Sequence, residues 1–139
     1  TDFNKTLQNI YKNLHDGGFY LFDIFNLEAM TVNTINNLVM DYKKNVNNKT
    51  MHHIQHSVIN RDKGQITSYD NYIIDKVGGG VKKINNKFTL QIYKAKELQL
   101  MLAENGFKTL KQYGIDGSEF KEYKTMNILT LAQKNTYYN

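Results

Sequence analysis

The stretch AKELQLMLAENGF, residues 95–107, constrains the fold more than any other part of this 139-residue chain. Its apolar residues recur at helical spacing and share one face of a helix: Ala95, Leu98, Met101 and Leu102. Asn105 ends the helix, Gly106 suits the left-handed position that follows, and Phe107 supplies the apolar contact that accompanies such an ending. The pattern therefore predicts an amphipathic helix, its stop signal and the start of a strand.

Two segments near the beginning of the chain predict a second helix–strand pair. Helical spacing places five apolar residues on one stripe, and Gly17-Gly18 ends the run: Phe3, Leu7, Ile10, Tyr11 and Leu14. The following residues 19–25, FYLFDIF, would place apolar side chains on both faces of a strand, with Asp23 as the exception. A strand of this kind is typical of the interior of a parallel sheet, with helices covering both faces.

The middle of the chain predicts a helix and then an antiparallel insert. Apolar residues keep helical spacing from Leu27 to Tyr42, and then Lys43-Lys44 and the Asn-rich residues 45–48 interrupt the pattern. Alternating apolar residues with glycine turns at 61–64 and 77–80 then predict a three-stranded meander within residues 49–92. With two closing strands near 107–113 and 125–133, residues 1–139 are predicted to form one domain.

Composition excludes several kinds of chemistry and partner. The absence of cysteine excludes disulfides, thiolate metal sites and a cysteine nucleophile. No leader pattern and no apolar run near the 18 residues of a membrane span are visible, so we expect a cytoplasmic protein without a membrane partner. The net charge of +5 is scattered among carboxylates and forms no phosphate-tracking stripe, which makes nucleic-acid binding a minor alternative.

Three stretches carry a resemblance to a known family. NIYKNLHDGGFYLFDIFN places a helix and a glycine pair before an apolar strand, AENGF joins a helix to a strand, and MNILTLAQK is an apolar strand ending in lysine. Together they resemble the second half of a class I S-adenosylmethionine-dependent methyltransferase. The resemblance implies an α/β fold: the C-terminal part of a Rossmann-like methyltransferase sheet, with the three-stranded antiparallel meander inserted.

The resemblance also implies what this chain lacks. The family holds S-adenosylmethionine on a glycine-rich loop after its first strand, and no residues here match that first half. Gly78-Gly79-Gly80 is predicted to lie in a hairpin and not at a strand-to-helix turn, so it does not replace that loop. The cofactor site is therefore expected to lie mostly outside this chain, which is expected to be inactive alone.

The resemblance further places the last strand antiparallel between the other two long strands. Strand 19–25 is then left with an unpaired edge. Because an exposed apolar edge tends to pair, we expect the chain to need the missing N-terminal half or to self-associate through this edge.

The end of strand 19–25 provides the first candidate site residues. Ligands of open α/β sheets bind beyond the carboxyl ends of the strands, so Asp23, Phe25 and Asn26 are candidate contacts for the methyl acceptor, and Asp23 is a weak catalytic candidate. The alternative for Asp23 is a buried carboxylate that accepts hydrogen bonds in a structural role. The alternative for Asn26 is a helix cap.

The predicted meander provides the remaining candidates. On a strand, His52 and His56 point to one face and His53 to the other, and His53 is a weak candidate for a catalytic base. The alternatives are an ordinary polar strand face or, without a nearby carboxylate or cysteine ligand, a less favoured metal site. Tyr69 and Tyr72 are either packing residues or the wall of a small-molecule pocket.

These observations predict the acceptor-side portion of an S-adenosylmethionine-dependent methyltransferase, a transferase that acts on a small molecule. A non-catalytic binding or assembly module that uses the open edge or the meander is the main alternative. A basic nucleic-acid-binding domain is the third. The identity of the acceptor is not encoded in any motif of this chain.

Overall fold

The computed structural model describes residues 2–136 as an α/β protein with more strand than helix. The chain divides into two compact units, one formed by the residues up to Asn33 and from Ile92 onward, the other by Thr34–Gln91. The first unit contains three helices and three strands of the described chain: α1 Asp2–Asn13, β1 Phe19–Phe25, α2 Leu27–Val32, α3 Ala95–Glu104, β6 Phe107–Tyr113 and β7 Asn127–Lys134. The second contains four strands: β2 Asn37–Val46, β3 Lys49–Asn60, β4 Gln65–Lys76 and β5 Gly80–Gln91.

The two predicted amphipathic helices form the core of the first unit. Leu7 of α1 and Leu102 of α3 are fully buried in one cluster with Phe107 and Ala132. Leu98 is buried in an adjacent cluster with Ala95 and Ile128. The remaining stripe residues are partly buried against these clusters: Phe3, Ile10, Tyr11, Leu14 and Met101. The helical periodicity therefore identified the buried face of each helix correctly.

The three-stranded sheet has the order β1-β7-β6, with β7 antiparallel to both neighbours. The predicted position of the last strand between the other two is thus confirmed. Within residues 2–136, β1 pairs along its length only with β7, so its second edge is unpaired.

One face of β1 is also uncovered. Tyr20, Phe22 and Ile24 face the helices, whereas Phe19 and Leu21 on the opposite face are 60% and 58% exposed. The prediction that helices cover both faces is therefore wrong for the described residues, because α1 and α3 cover one face and nothing in 2–136 covers the other.

Side chains from β7 hold the turn before β1. Gly17 has a left-handed φ of 72°, and a Cβ on Gly18 would lie 2.8 Å from the His15 carbonyl oxygen. The Gln133 amide donates to the Gly17 carbonyl oxygen at 2.8 Å, and Lys134 Nζ donates to the Leu14 carbonyl oxygen at 2.9 Å. The glycine pair permits a tight helix-to-strand turn, and the end of β7 fixes it.

Replacing Gly106 by alanine is expected to lower the free energy of unfolding by about 2 kcal/mol, because the residue is left-handed and a side chain there is strained. Its φ is 85°, and a Cβ would lie 2.6 Å from the Tyr11 ring. Gly117 is a matched control, since its φ is 81° but no atom lies within 4 Å of the added Cβ. Urea unfolding should show a larger loss for Gly106→Ala than for Gly117→Ala; equal losses would contradict a role for Tyr11.

The second unit corrects the predicted second helix. The helix after β1 covers only Leu27–Val32, and residues 37–46 form β2, paired antiparallel with β3. Asn47 and Asn48 have φ values of 48° and 60°, which is the backbone of a two-residue hairpin turn. The insert therefore has four strands, not three, and begins before the predicted residues 49–92.

The four-stranded sheet has the order β2-β3-β4-β5, antiparallel throughout. The predicted glycine turns are confirmed: Gly64 and Gly78 both have left-handed backbones, at φ values of 59° and 75°. That residues 1–139 behave as one domain stays a prediction. No helix described between residues 2 and 136 is long and apolar enough to cross a bilayer.

Candidate functional site

The end of β1 places the three predicted contacts in different environments. Asp23 lies on the uncovered face and is exposed, with no hydrogen bond to its carboxylate among residues 2–136. Within the described residues, Asp23 is therefore not the buried structural carboxylate of the alternative. Phe25 is partly buried, and Asn26 is fully buried. Only Asp23 presents an unpaired polar group, so it is the member of this trio with hydrogen-bonding capacity to spare.

Asn26 uses its side chain entirely within the protein. Its Oδ1 accepts the Glu28 amide at 3.1 Å and caps α2, as the sequence alternative predicted. Its Nδ2 donates to the carbonyl oxygens of Glu122 and Thr125 at 2.8 and 2.9 Å. Asn26 thus joins the end of β1, the start of α2 and the loop before β7. A ligand contact by Asn26 stays a prediction.

Two tyrosines near the core of the first unit are held in the neutral form. Burial raises the pKa of the Tyr20 hydroxyl above its usual value. Burial is also the largest cause of the raised pKa of Tyr93, and the nearby carboxylates of Glu97 and Asp2 add to it. Because both shifts move ionisation further above neutral pH, neither hydroxyl is poised to act as a base.

The four-stranded sheet separates the histidines as predicted. His53 lies opposite Tyr72 in the β3–β4 register, and their rings stack with centroids 4.1 Å apart. His53 Nε2 lies 2.8 Å from Asp70 Oδ1, and the Gln55 amide donates to the same oxygen at 2.9 Å. Asp70 is buried, with 4% of its surface exposed. This face therefore carries a buried carboxylate joined to a stacked imidazole.

The opposite face carries His52, His56 and Tyr69 with more exposed partners. His52 Nε2 lies 2.6 Å from Asp41 Oδ1, and the Asp41 side chain is 63% exposed. His56 Nε2 lies 3.3 Å from the Asn37 side-chain oxygen. Tyr69 is opposite His56 in the register. Since Tyr69 and Tyr72 lie on opposite faces, the two tyrosines do not wall one pocket within this sheet.

The strand geometry keeps the three histidines of the HHxxH pattern apart. His52 and His56 are four residues apart on a strand, about 13 Å along its axis, and His53 points away from both. Between residues 2 and 136 no group of three potential metal ligands comes together. Each histidine instead has its own partner on a neighbouring strand.

Sequence reasoning missed Asp70 and Gln55, which complete the His53 cluster. Asp70 is two residues before Tyr72, and Gln55 is two residues after His53, so each lies on the same face of its predicted strand as that neighbour. This alternation was the only sequence signal for the two residues. Cross-strand register brings them together, because Gln55 lies opposite Asp70 and His53 opposite Tyr72. A sequence pattern alone does not give that register.

The described residues do not fit the cofactor implied by the resemblance. Two strand-to-helix junctions occur in this part of the chain, from Phe25 to Leu27 and from Gln91 to Ala95, and neither contains glycine. Gly78, Gly79 and Gly80 lie at the β4–β5 hairpin, as predicted. A backbone cradle for a charged nucleoside at a helix start is thus not provided by residues 2–136.

Two shallow grooves in the first unit contain none of the predicted site residues. One, of about 250 Å³, lies beside Tyr11 and Asn105. The other, of about 220 Å³, lies beside Gly17 and Lys134. Neither groove reaches the carboxyl end of β1, so neither changes the choice of candidates.

Solved methyltransferases share this fold. An S-adenosylmethionine-dependent methyltransferase from Clostridium acetobutylicum superimposes with a TM-score of 0.72 at 16% identity, over 96% of this chain and 51% of its own. CalS10, an amino pentose methyltransferase from Micromonospora echinaspora solved with S-adenosylmethionine bound, gives 0.62 at 10% identity, over 95% and 50%. The sugar N-methyltransferase KedS8 from Streptoalloteichus gives 0.67 at 11% identity, over 95% and 48%.

These similarities establish the α/β fold with its antiparallel sheets. The chain spans about half the length of the solved structures it matches. No protein-family model matches the sequence, and no curated protein matches it. The chain therefore resembles these methyltransferases in fold at low sequence identity, and the resemblance does not extend to a reaction.

Proposed function

We propose that this chain is the acceptor-side, C-terminal portion of an S-adenosylmethionine-dependent methyltransferase that acts on a small molecule in the cytoplasm. The main support for the proposal is that β1, an edge strand of the three-stranded sheet, has an unpaired edge and an uncovered apolar face among the described residues. β1 is paired on one side only, and Phe19 and Leu21 remain exposed on its uncovered face. In an independent protein such an apolar edge and face would be covered.

The occupant we propose for this surface is the remaining half of the methyltransferase domain. Its own parallel strand would pair with the free edge of β1, and a helix would cover Phe19 and Leu21. The solved methyltransferases that match are about twice as long as the part of them that this chain covers, which leaves enough chain for such a half. The same half would hold the methyl donor, because the two strand-to-helix junctions described here lack glycine.

The contacts to the acceptor are proposed to come from this chain, and each unit provides a separate candidate. In the first unit, Asp23 has a carboxylate at the end of β1 that is unpaired among the described residues. In the second unit, His53 Nε2 lies 2.8 Å from Asp70 Oδ1. Two of the similar structures act on an amino pentose and on a sugar nitrogen according to their names. An amino sugar is therefore the first acceptor to test.

The proposal predicts that this chain alone does not bind S-adenosylmethionine. Joined to the polypeptide encoded directly upstream of Thr1, it should bind in the micromolar range, about −8 kcal/mol, because the donor cradle is then present. Isothermal titration calorimetry of both preparations measures this difference. Co-purification of the two pieces provides the accompanying test of assembly.

Two results would contradict the proposal in different ways. Binding of S-adenosylmethionine by the chain alone would place a donor site within these residues. Failure of the joined protein to bind would favour the second candidate, a non-catalytic assembly module that uses the exposed edge and face of β1. The same uncovered surface also supports that candidate, so the two functions are distinguished only by whether the joined protein binds S-adenosylmethionine.

A further inference from the structure

The buried carboxylate of Asp70 has two side-chain donors on one oxygen. His53 Nε2 lies 2.8 Å from Asp70 Oδ1, and the Gln55 amide donates to that oxygen at 2.9 Å. The side chains of Asp70 and His53 are only 5% and 13% exposed. A carboxylate without hydrogen-bonding partners would be costly at this depth, so the two donors hold it in place.

With an ionised Asp70 carboxylate, these contacts select one tautomer of His53. An ionised carboxylate only accepts hydrogen bonds, so Nε2 must carry the proton that points to Asp70. In the neutral ring, Nδ1 then holds the lone pair. The stacking of the ring on Tyr72, with an interplanar angle of 10°, restrains its orientation further.

Nδ1 of His53 is an acceptor that the contacts of this cluster leave unused. Among residues 2–136, no side chain or backbone group forms a hydrogen bond with it. The register sets Tyr42, His53, Tyr72 and Ile84 in one row across four strands, so the two residues directly beside His53 in that row are aromatic, whereas Asp70 and Gln55 form the next pair on the same face. The row therefore sets this acceptor between tyrosines on the two neighbouring strands, and the ring of one of them, Tyr72, stacks on the imidazole.

We propose that Asp70 is a positioning residue that fixes His53 with Nδ1 as the acceptor of a hydrogen bond and a proton from a small-molecule ligand. The ligand class is a small molecule with an ammonium or hydroxyl group next to an apolar portion. The ligand N–H or O–H bond would lose its proton to Nδ1, and the resulting imidazolium would be stabilised by the Asp70 carboxylate. This inference rests on the proposed function, because it names what the acceptor presents to the sheet.

The other histidines of this sheet provide internal controls. His52 has an exposed carboxylate partner, Asp41, and His56 has only an amide oxygen, that of Asn37. No ring stacking accompanies either contact among the residues described. A property shared by all three histidines would therefore not support a special role for the Asp70 pair.

The first test is the ring tautomer of His53 in this chain alone. Nitrogen-15 spectra of the imidazoles at about pH 9, where ordinary histidines are neutral, should show His53 with a protonated Nε2 and an unprotonated Nδ1. His53→Gln assigns the resonance. Asp70→Asn should abolish the single tautomer, since an amide can donate as well as accept, whereas Asp41→Asn should alter only His52. Circular dichroism checks that each variant is folded.

The second test is the ligand. Ethylammonium and ethanol offer an N–H and an O–H donor, and tetramethylammonium offers none. We expect either donor probe to move the His53 Nδ1 resonance several-fold more than those of His52 and His56, and tetramethylammonium to leave it in place. The response to the two donor probes distinguishes an amine acceptor from a hydroxyl acceptor.

A protonated Nδ1 in the wild-type chain, or an unchanged spectrum in Asp70→Asn, would overturn the positioning role. A His53 response equal for donor and non-donor probes would overturn the ligand assignment. Neither result depends on S-adenosylmethionine, because both are measured on this chain without the methyl donor. Failure of this inference is thus distinguishable from failure of the proposed function.

Discussion

Replacement of Asn26 by alanine is expected to lower the free energy of unfolding by about 3 kcal/mol, because it removes a helix cap and the two hydrogen bonds that a buried amide donates. The buried amide donates to the carbonyl oxygens of Glu122 and Thr125, which lose a donor in the variant. The start of α2 and the loop before β7 are affected together. Urea unfolding followed by circular dichroism measures the change.

Asn33→Ala is the matched control for this prediction. Asn33 is exposed, and its amide also donates to two carbonyl oxygens, those of Ala29 and Tyr123, at 2.7 Å each. Because water can replace those bonds, we expect a loss below about 1 kcal/mol. Asn26→Asp keeps the oxygen that caps α2 but replaces the buried amide donor by a negatively charged oxygen next to two carbonyl oxygens. This variant should therefore be at least as unstable as Asn26→Ala. Equal stability of the Asn26→Ala and Asn33→Ala variants would contradict the importance of burial.

The chain without its proposed other half is expected to self-associate, and Leu21→Lys is expected to return it to a monomer. Leu21 is 58% exposed beside the free edge of β1, where a second copy can cover it. A lysine at that place puts a charge into the apolar contact and also discourages edge pairing. Size-exclusion chromatography with light scattering should show more than the monomer mass for the wild type and the monomer mass for the variant.

Leu100→Lys controls for adding a charge to an exposed leucine. Leu100 lies on α3 in the same unit and is 66% exposed, yet it is distant in sequence from the free edge of β1. We expect this variant to associate like the wild type. A monomeric wild type, or equal effects of the two lysines, would show that the edge of β1 does not drive association.

Local sequence patterns predicted the first unit well because each element carries several agreeing signals. In α3, apolar spacing, the Asn105–Gly106 stop and the buried Phe107 all agree with the structure. The start of that helix is less regular, since Lys94 replaces a Ser or Thr cap. There Glu97 accepts the Lys94 amide at 2.7 Å and supplies part of the missing cap.

The same reasoning failed between Asn33 and Val46. Leu38, Met40 and Tyr42 alternate on one face of β2, but Leu38, Val39 and Tyr42 also satisfy helical spacing over this short stretch. Pairing with β3 decided the structure, and Asn47-Asn48 supplied the turn. The sequence indicated that the asparagines interrupt the helical pattern. It did not indicate that two consecutive asparagines adopt the left-handed backbone of a hairpin turn.

For the candidate site, the sequence indicated the residue types but not their partners. His53 and Tyr72 were both predicted, yet their stacking depends on the β3–β4 register. Asp70 was not predicted at all, because a carboxylate on a polar strand becomes notable only when it is buried beside an imidazole. Asp23 is the opposite case. The sequence predicted it on an interior strand, whereas in the structure its side chain is exposed.

The sequence by itself determined the helices α1 and α3, the strands β1, β6 and β7, and the glycine turns, because these depend on short-range periodicity and on backbone angles that few residues tolerate. Only the tertiary structure decided that residues 37–46 form a strand, that one face of β1 is uncovered among the described residues, and that Asp70 lies within hydrogen-bonding distance of His53. These features depend on which strands pair and in which register, and such long-range pairing is not written in any one segment of the chain.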